Sequence, residues 1–211
     1  MDGTNLLTFT GISIMLTLMP GPDILFVITQ SITRNPKDGI AVALGLCTGL
    51  MVHTTAAALG VSAVLYHSSL AFQTLKVAGA LYLFYLAWQS LREAGAAHTG
   101  SLAVEGRKRP FFALYRKGIL MNLLNPKVSL FFLAFLPQFV SPEAGSVSVQ
   151  MILLGVIFMV QAFLVFAVVS LAAHRLGRNF MANVAVSRWV DRGKAGIYAL
   201  LGARLLSMEH Q

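Results

Sequence analysis

Long apolar runs alternate with short polar and basic clusters along this chain. From Gly3 to Ile32 the only charged residue is Asp23, and comparable runs follow at 39–65, 70–91, 118–139, 149–173 and 195–208. A predominantly apolar run of about 20 residues is long enough to cross a hydrocarbon core as a helix. The pattern predicts an all-α polytopic membrane protein. Its six transmembrane helices run over Asn5–Ile32, Gly39–Leu65, Leu70–Leu91, Gly118–Phe139, Val149–Ala173 and a shorter Ala195–Met208. The one long polar linker, 92–110, falls near the middle. It divides a single membrane-embedded domain, 1–211, into a first repeat (1–91) and a second (111–211).

Two of these spans carry helix-breaking sequence. The first holds Pro20-Gly21-Pro22 followed by Asp23; the fourth holds Asn125-Pro126-Lys127. Proline removes a helix donor and clashes with the preceding turn, yet it suits the first turn of a new helix. Each break therefore predicts two half-helices, the second starting with a proline and then a charge. Broken backbone at membrane depth is tolerated only where protein or a watery cavity satisfies it. Each fresh N-terminus offers free N–H groups and a positive dipole end. The plainer alternatives are a proline kink capped by Asp23, a cap only at Asn125, and a structural ion pair for Lys127.

The second span carries a ridge of Ala41, Gly45, Gly49, His53 and Ala57 at four-residue spacing, which puts them on one helix face. Gly45 and Gly49 read as helix-packing residues that admit another backbone. His53 is either a hydrogen-bonded packing residue or a proton-coupling group, histidine being the side chain that ordinarily titrates closest to neutral pH. Gln161, midway along the fifth span, is either interhelical glue or substrate-facing. Tyr82, Tyr85 and Trp88 belong at an interface, and Lys76 is placed to snorkel.

Composition supports the membrane reading: 56% hydrophobic residues against 11% charged, with mean hydropathy +0.72. The charge fixes an orientation. Of the 16 lysines and arginines, all but Lys76, Lys127 and Arg204 fall in or beside three loops on one side of a six-span protein. These are Arg34 and Lys37; Arg92, Arg107, Lys108, Arg109, Arg116 and Lys117; and Arg175, Arg178, Arg188, Arg192 and Lys194. The positive-inside rule puts these loops in the cytoplasm and both termini outside. The net charge of +8 is then explained by basic loops facing anionic lipid, with no nucleic acid needed. The N-terminus has no basic segment before its apolar run, so it does not read as a cleaved signal. One cysteine, Cys47, excludes thiol-exchange chemistry, which needs a pair. Asp23 and His53 are the only strong midplane metal ligands, too few for a convincing cation site, although a metal-ion or other small-solute exporter of the same fold stays open as the alternative.

Setting Pro22 on Pro126 also sets Asp23 on Lys127. With three spans in each half, the second half must enter from the opposite side, so the repeats are inverted. Interrupted spans at matching positions of inverted repeats point to a transporter's central site. The Pro-Gly-Pro segment, the Gly-rich second span and the stretch from NLLNPK to LPQF resemble the LysE/RhtB amino-acid exporters over nearly the whole chain. The resemblance implies secondary export of amino acids or small analogues from a bacterial cytoplasm across the inner membrane, driven by the proton gradient as a proton antiport; neither enzymatic activity nor a cofactor is expected. It also implies a homodimer; with the orientation set by the charges, both termini are then expected to be periplasmic. By position it carries over Pro20, Gly21, Pro22, Asn125, Pro126 and Lys127 as motif residues. The family position after Pro-Gly-Pro is variable, so the case for Asp23 rests on its chemistry alone. Family members for basic amino acids resemble carriers with an acid in the second span, where this chain has His53.

A free amino acid carries one carboxylate and one ammonium. The half-helix N-termini and Lys127 suit the first, and Asp23 the second. Asn122 and Gln161 are left to hydrogen-bond a polar side chain. The formal charges of Lys127 and Asp23 cancel, so a dibasic substrate would bring an unmatched buried charge. The expectation is export of neutral amino acids such as threonine, homoserine or leucine, against lysine and arginine.

Overall fold

The computed structural model describes residues 3–61, 69–95, 110–180, 195–203 and 206, and every regular element among them is helical. In chain order these are α1 (Gly3–Leu18), α2 (Pro22–Thr33), α3 (Pro36–Ala56) running into a π turn at Ala57–Val61, and α4 (Ser69–Gly95). Then come α5 (Phe111–Leu123) and α6 (Pro126–Leu130), which continues through a π turn at Phe131–Phe135 and a 3-10 turn at Leu136–Phe139. α7 (Val147–Phe180) follows a short turn at Pro142–Ala144, and α8 covers 195–203.

Both proline breaks are present. α1 and α2 bend by 57° across Met19–Gly21, and α5 bends by 51° relative to Pro126–Phe139. α1 closes on the bond from Met19 N–H to Met15 O, and α2 opens on Leu25 N–H donating to Gly21 O. α3 with its π turn (Pro36–Gly60) and α7 (Val147–Arg175) are long and apolar enough to cross a membrane, as is each bent pair taken as one span. α4 contains a shorter apolar helix, Val77–Gln89.

Three boundaries differ most from the sequence expectation. The fourth span starts at Phe111 rather than Gly118, because Pro110 takes the N-cap position and the basic pair near the start finds apolar cover. Lys117 Nζ lies 4.4 Å from the Phe26 ring centre and the Arg116 guanidinium 5.9 Å from that of Phe112. α4 and α7 each run past their apolar stretch into polar residues, since nothing in either sequence stops a helix there. The linker residues 96–109 with Arg107, Lys108 and Arg109 lie outside the described residues. So do Arg188, Arg192 and Lys194, the end of the second span beyond Val61, most of the last span beyond Ala203, and the side chains of Lys76 and Arg178.

α3 is the central post, packed on α2, α5 and α7. Its glycine ridge sets how closely α5 approaches. A β-carbon on Gly45 would collide with Tyr115 O, and one on Gly118 with Val42 O, so the two backbones touch directly. At the end where α1 begins, Phe9, Phe131, Phe132, Phe135, Phe139 and Phe158 form one buried aromatic cluster. At the opposite end Ser31 Oγ and Ser170 Oγ are 2.8 Å apart, and Ser170 donates to Pro36 O at 2.9 Å. The bends lie between these two seals.

Candidate functional site

The polar side chains at one break satisfy groups of the other. Asn125 takes the N-cap of α6, and its Oδ1 accepts from Lys127 N–H at 3.1 Å. A cap of this kind contributes about 1 kcal/mol. The same carboxamide turns its Nδ2 outward and donates to Asp23 Oδ2 at 2.8 Å. Lys127, the next residue but one, extends across the gap and donates from Nζ to Leu16 O at 3.1 Å. Leu16 is in the last turn of α1, where carbonyls lack helical partners and the dipole favours a cation. Asp23 sits in the first turn of α2, where the dipole favours an anion. Each charge therefore occupies the helix end of matching polarity.

All of this is buried. Asp23 is 5% exposed, Asn125 4%, Lys127 8% and Asn122 2%. Lys127 and His53 are near enough to Asp23 to act on its carboxylate electrostatically, and Asn122 approaches it too. Even so, Asp23 Oδ1 has no hydrogen-bond partner. His53 donates from Nε2 to the Asn122 carbonyl at 3.1 Å, just before the break, so the ridge histidine holds the end of α5. Gly49 has no room for a side chain because Asn122 fills the space, with Oδ1 at 2.7 Å from where a β-carbon would be. Gly49 thus makes room for a carboxamide, whereas Gly45 makes room for backbone.

The two N-termini are not alike. Gly21 caps α2 with extended backbone and no side-chain bond, flanked by Pro20 and Pro22. The α6 end is occupied by its own asparagine, which corrects the expectation that both ends lie open. A β-carbon on Gly21 would be 3.5 Å from Lys127 Nζ, so the lysine ammonium stands beside the uncapped end.

Asp23, Asn122, Asn125, Lys127 and His53 therefore form one connected cluster. Gln161 does not join it directly. Its Nε2 donates to Thr17 Oγ1 at 3.1 Å, in the last turns of α1, and Thr17 in turn donates to Ser13 O at 2.8 Å. Sequence reading passed over Ser13 and Thr17. Their signal was available: standing four residues apart, they put two hydroxyls on one face of the second half of α1. No group of three or more histidine, cysteine, aspartate or glutamate residues that could hold a metal ion occurs among the described residues.

The family model for LysE type translocators matches residues 14–209. The chain belongs to the LysE type translocator family. Among relatives of this translocator, the homoserine/homoserine lactone efflux protein of Salmonella typhimurium is 32% identical over 94% of this chain and 94% of its own length. The uncharacterized membrane protein YrhP of Bacillus subtilis (strain 168) is 33% identical over 77% of this chain and 80% of its own. The leucine efflux protein of Salmonella choleraesuis is 29% identical over 72% of this chain and 70% of its own. No solved structure matches the chain. The family and its named relatives make this a membrane translocator with efflux proteins for homoserine and leucine among its kin.

Proposed function

We propose that this translocator exports small neutral amino acids such as threonine, homoserine or leucine by proton antiport, with the two breaks as its substrate site. The observation that carries the reading is the hydrogen bond from Asn125 to Asp23, which joins the breaks of the two halves through buried polar groups. The substrate ammonium sits on Asp23, whose Oδ1 is left without a partner. The carboxylate sits at the uncapped N-terminus of α2 beside Lys127. Pro20, Gly21, Pro22 and Pro126 shape the gap, Asn122 lines it, and Gln161 stands beside it through Thr17. The relatives' names agree with an amine-centred site: homoserine and its lactone share the amine, and only homoserine has a free carboxylate.

In this reading the chain is one domain of six spans in two inverted halves, in a bacterial inner membrane with both termini periplasmic. It works as a homodimer surrounded by lipid, and needs no cofactor. His53 carries the proton coupling together with Asp23, through its hold on the Asn122 carbonyl. The test is efflux of labelled amino acids, one at a time, from cells with and without the protein. Faster loss of threonine, homoserine or leucine, with lysine and arginine unaffected, supports it. Raised metal tolerance with no amino-acid efflux would move the assignment to a metal exporter.

A further inference from the structure

Beside the break cluster, two side chains at least nine-tenths buried keep an oxygen with no hydrogen-bond partner: Ser13, 0% exposed, at Oγ, and Gln161, 8% exposed, at Oε1. They face the same interface. Phe9 of α1 and Phe158 of α7 meet with ring centres 6.5 Å apart. Ser13 lies four residues after Phe9 and Gln161 three after Phe158, so each stands about one helical turn from that contact on the same face. Thr17, a further turn along α1, fixes the Gln161 carboxamide by accepting from its Nε2, and is itself held by donating to Ser13 O. That leaves Gln161 Oε1 as a carbonyl acceptor in a set position. Burying such acceptors without a donor is unfavourable, and native structures rarely keep one without a reason.

We propose that Ser13 Oγ and Gln161 Oε1, with Thr17 as the positioning residue, form a side-chain subsite that receives a hydroxyl-bearing amino-acid side chain. This rests on the substrate reading above and adds to it which part of the substrate points where. The break holds the amine and carboxylate; the hydroxyl points along α1 toward the aromatic cluster. The donor is neutral because α1 has no charged residue and α7 has none before His174, so a cationic side chain would find no counter-charge. Phe9 and Phe158 close the far end and limit side-chain length. A site built to bond a hydroxyl discriminates against the isostere that lacks it, because its own polar groups are then left unpaired.

The test compares threonine with valine, nearly equal in shape, as competitors of labelled efflux from membrane vesicles. Wild type is expected to prefer threonine by about tenfold or more. Ser13→Ala and Gln161→Met should each reduce that preference several-fold, and Thr17→Val should do so without touching either open oxygen. An unchanged threonine-to-valine ratio in both Ser13→Ala and Gln161→Met, with protein folded and active, overturns the subsite and leaves the break site standing. Should Gln161→Met fail to fold, Ser13→Ala decides alone. If wild type exports no amino acid at all, the underlying substrate reading fails and the subsite with it.

Discussion

At the first break a new helix begins on Gly21, which has no side chain to cap it; at the second it begins on Asn125, whose carboxamide caps it from within. The same order of residues, cap then proline then charge, gives one open helix end and one closed end. The closed end is also the one that reaches out. Asn125 and Lys127 both cross to the first break, to Asp23 and to Leu16 O, while no side chain of Pro20-Gly21-Pro22 can donate back. On the proposed reading this asymmetry separates support from site. The second break is a buttress that neutralises and orients, and the first has capacity left for a ligand.

The largest effect is expected from removing the buttress's charge. Lys127→Met leaves Asp23 buried without its cation and Leu16 O without its donor, a loss of about 3–5 kcal/mol. Thermal unfolding in detergent should show a large drop in Tm, partly recovered in the double variant with Asp23→Asn. A single variant as stable as wild type would mean that the lysine is no part of the joint. Next, Asn125→Ala should cost about 1 kcal/mol for the cap and about 1.5–3 kcal/mol for the bond to a charged group. Asn125→Ser keeps a cap but is too short to reach Asp23, so it should recover only the smaller part. Equal Tm values for the two variants would reduce Asn125 to a cap.

Much of this was legible in advance because the signals are local. Prolines flanking Gly21, and Asn125 before Pro126, announce their breaks through backbone geometry that needs no partner. The four-residue ridge on α3 likewise announced a close approach at Gly45, although not that Gly49 would meet the side chain of Asn122 rather than backbone. What was not legible depends on distance in space. Nothing in the chain says that the Asn125 carboxamide would use its oxygen on its own helix and its nitrogen on Asp23, over a hundred residues away. Gln161 was singled out alone, and Ser13 and Thr17 were missed, because serine and threonine in an apolar helix commonly bond their own backbone and raise no alarm. Thr17 does so, and still receives Gln161.

The sharper test of the asymmetry is to close the open end. Gly21→Ser has room, since its β-carbon would meet nothing nearer than 3.5 Å and the backbone there is extended. A serine cap should raise stability by a few tenths of a kcal/mol, yet lower transport by about tenfold if those N–H groups receive the carboxylate. Gain in Tm with undiminished efflux would remove the open end from the site. The smallest effect is expected at His53. His53→Gln retains a side-chain donor for the Asn122 carbonyl, so folding should hold while the response of efflux to external pH flattens. A pH profile that overlays wild type would leave His53 as a packing residue.

On the proposed reading the first break binds both charges of an amino acid, with Asp23 on the amine. Equilibrium binding to purified protein tests it directly, using threonine, its N-acetyl derivative and its carboxamide. Wild type should bind free threonine and lose about tenfold or more in affinity when either charge is removed. Asp23→Asn should bind threonine and N-acetylthreonine alike while still rejecting the carboxamide. A folded Asp23→Asn protein that discriminates between amine and N-acetyl as sharply as wild type would take Asp23 off the amine.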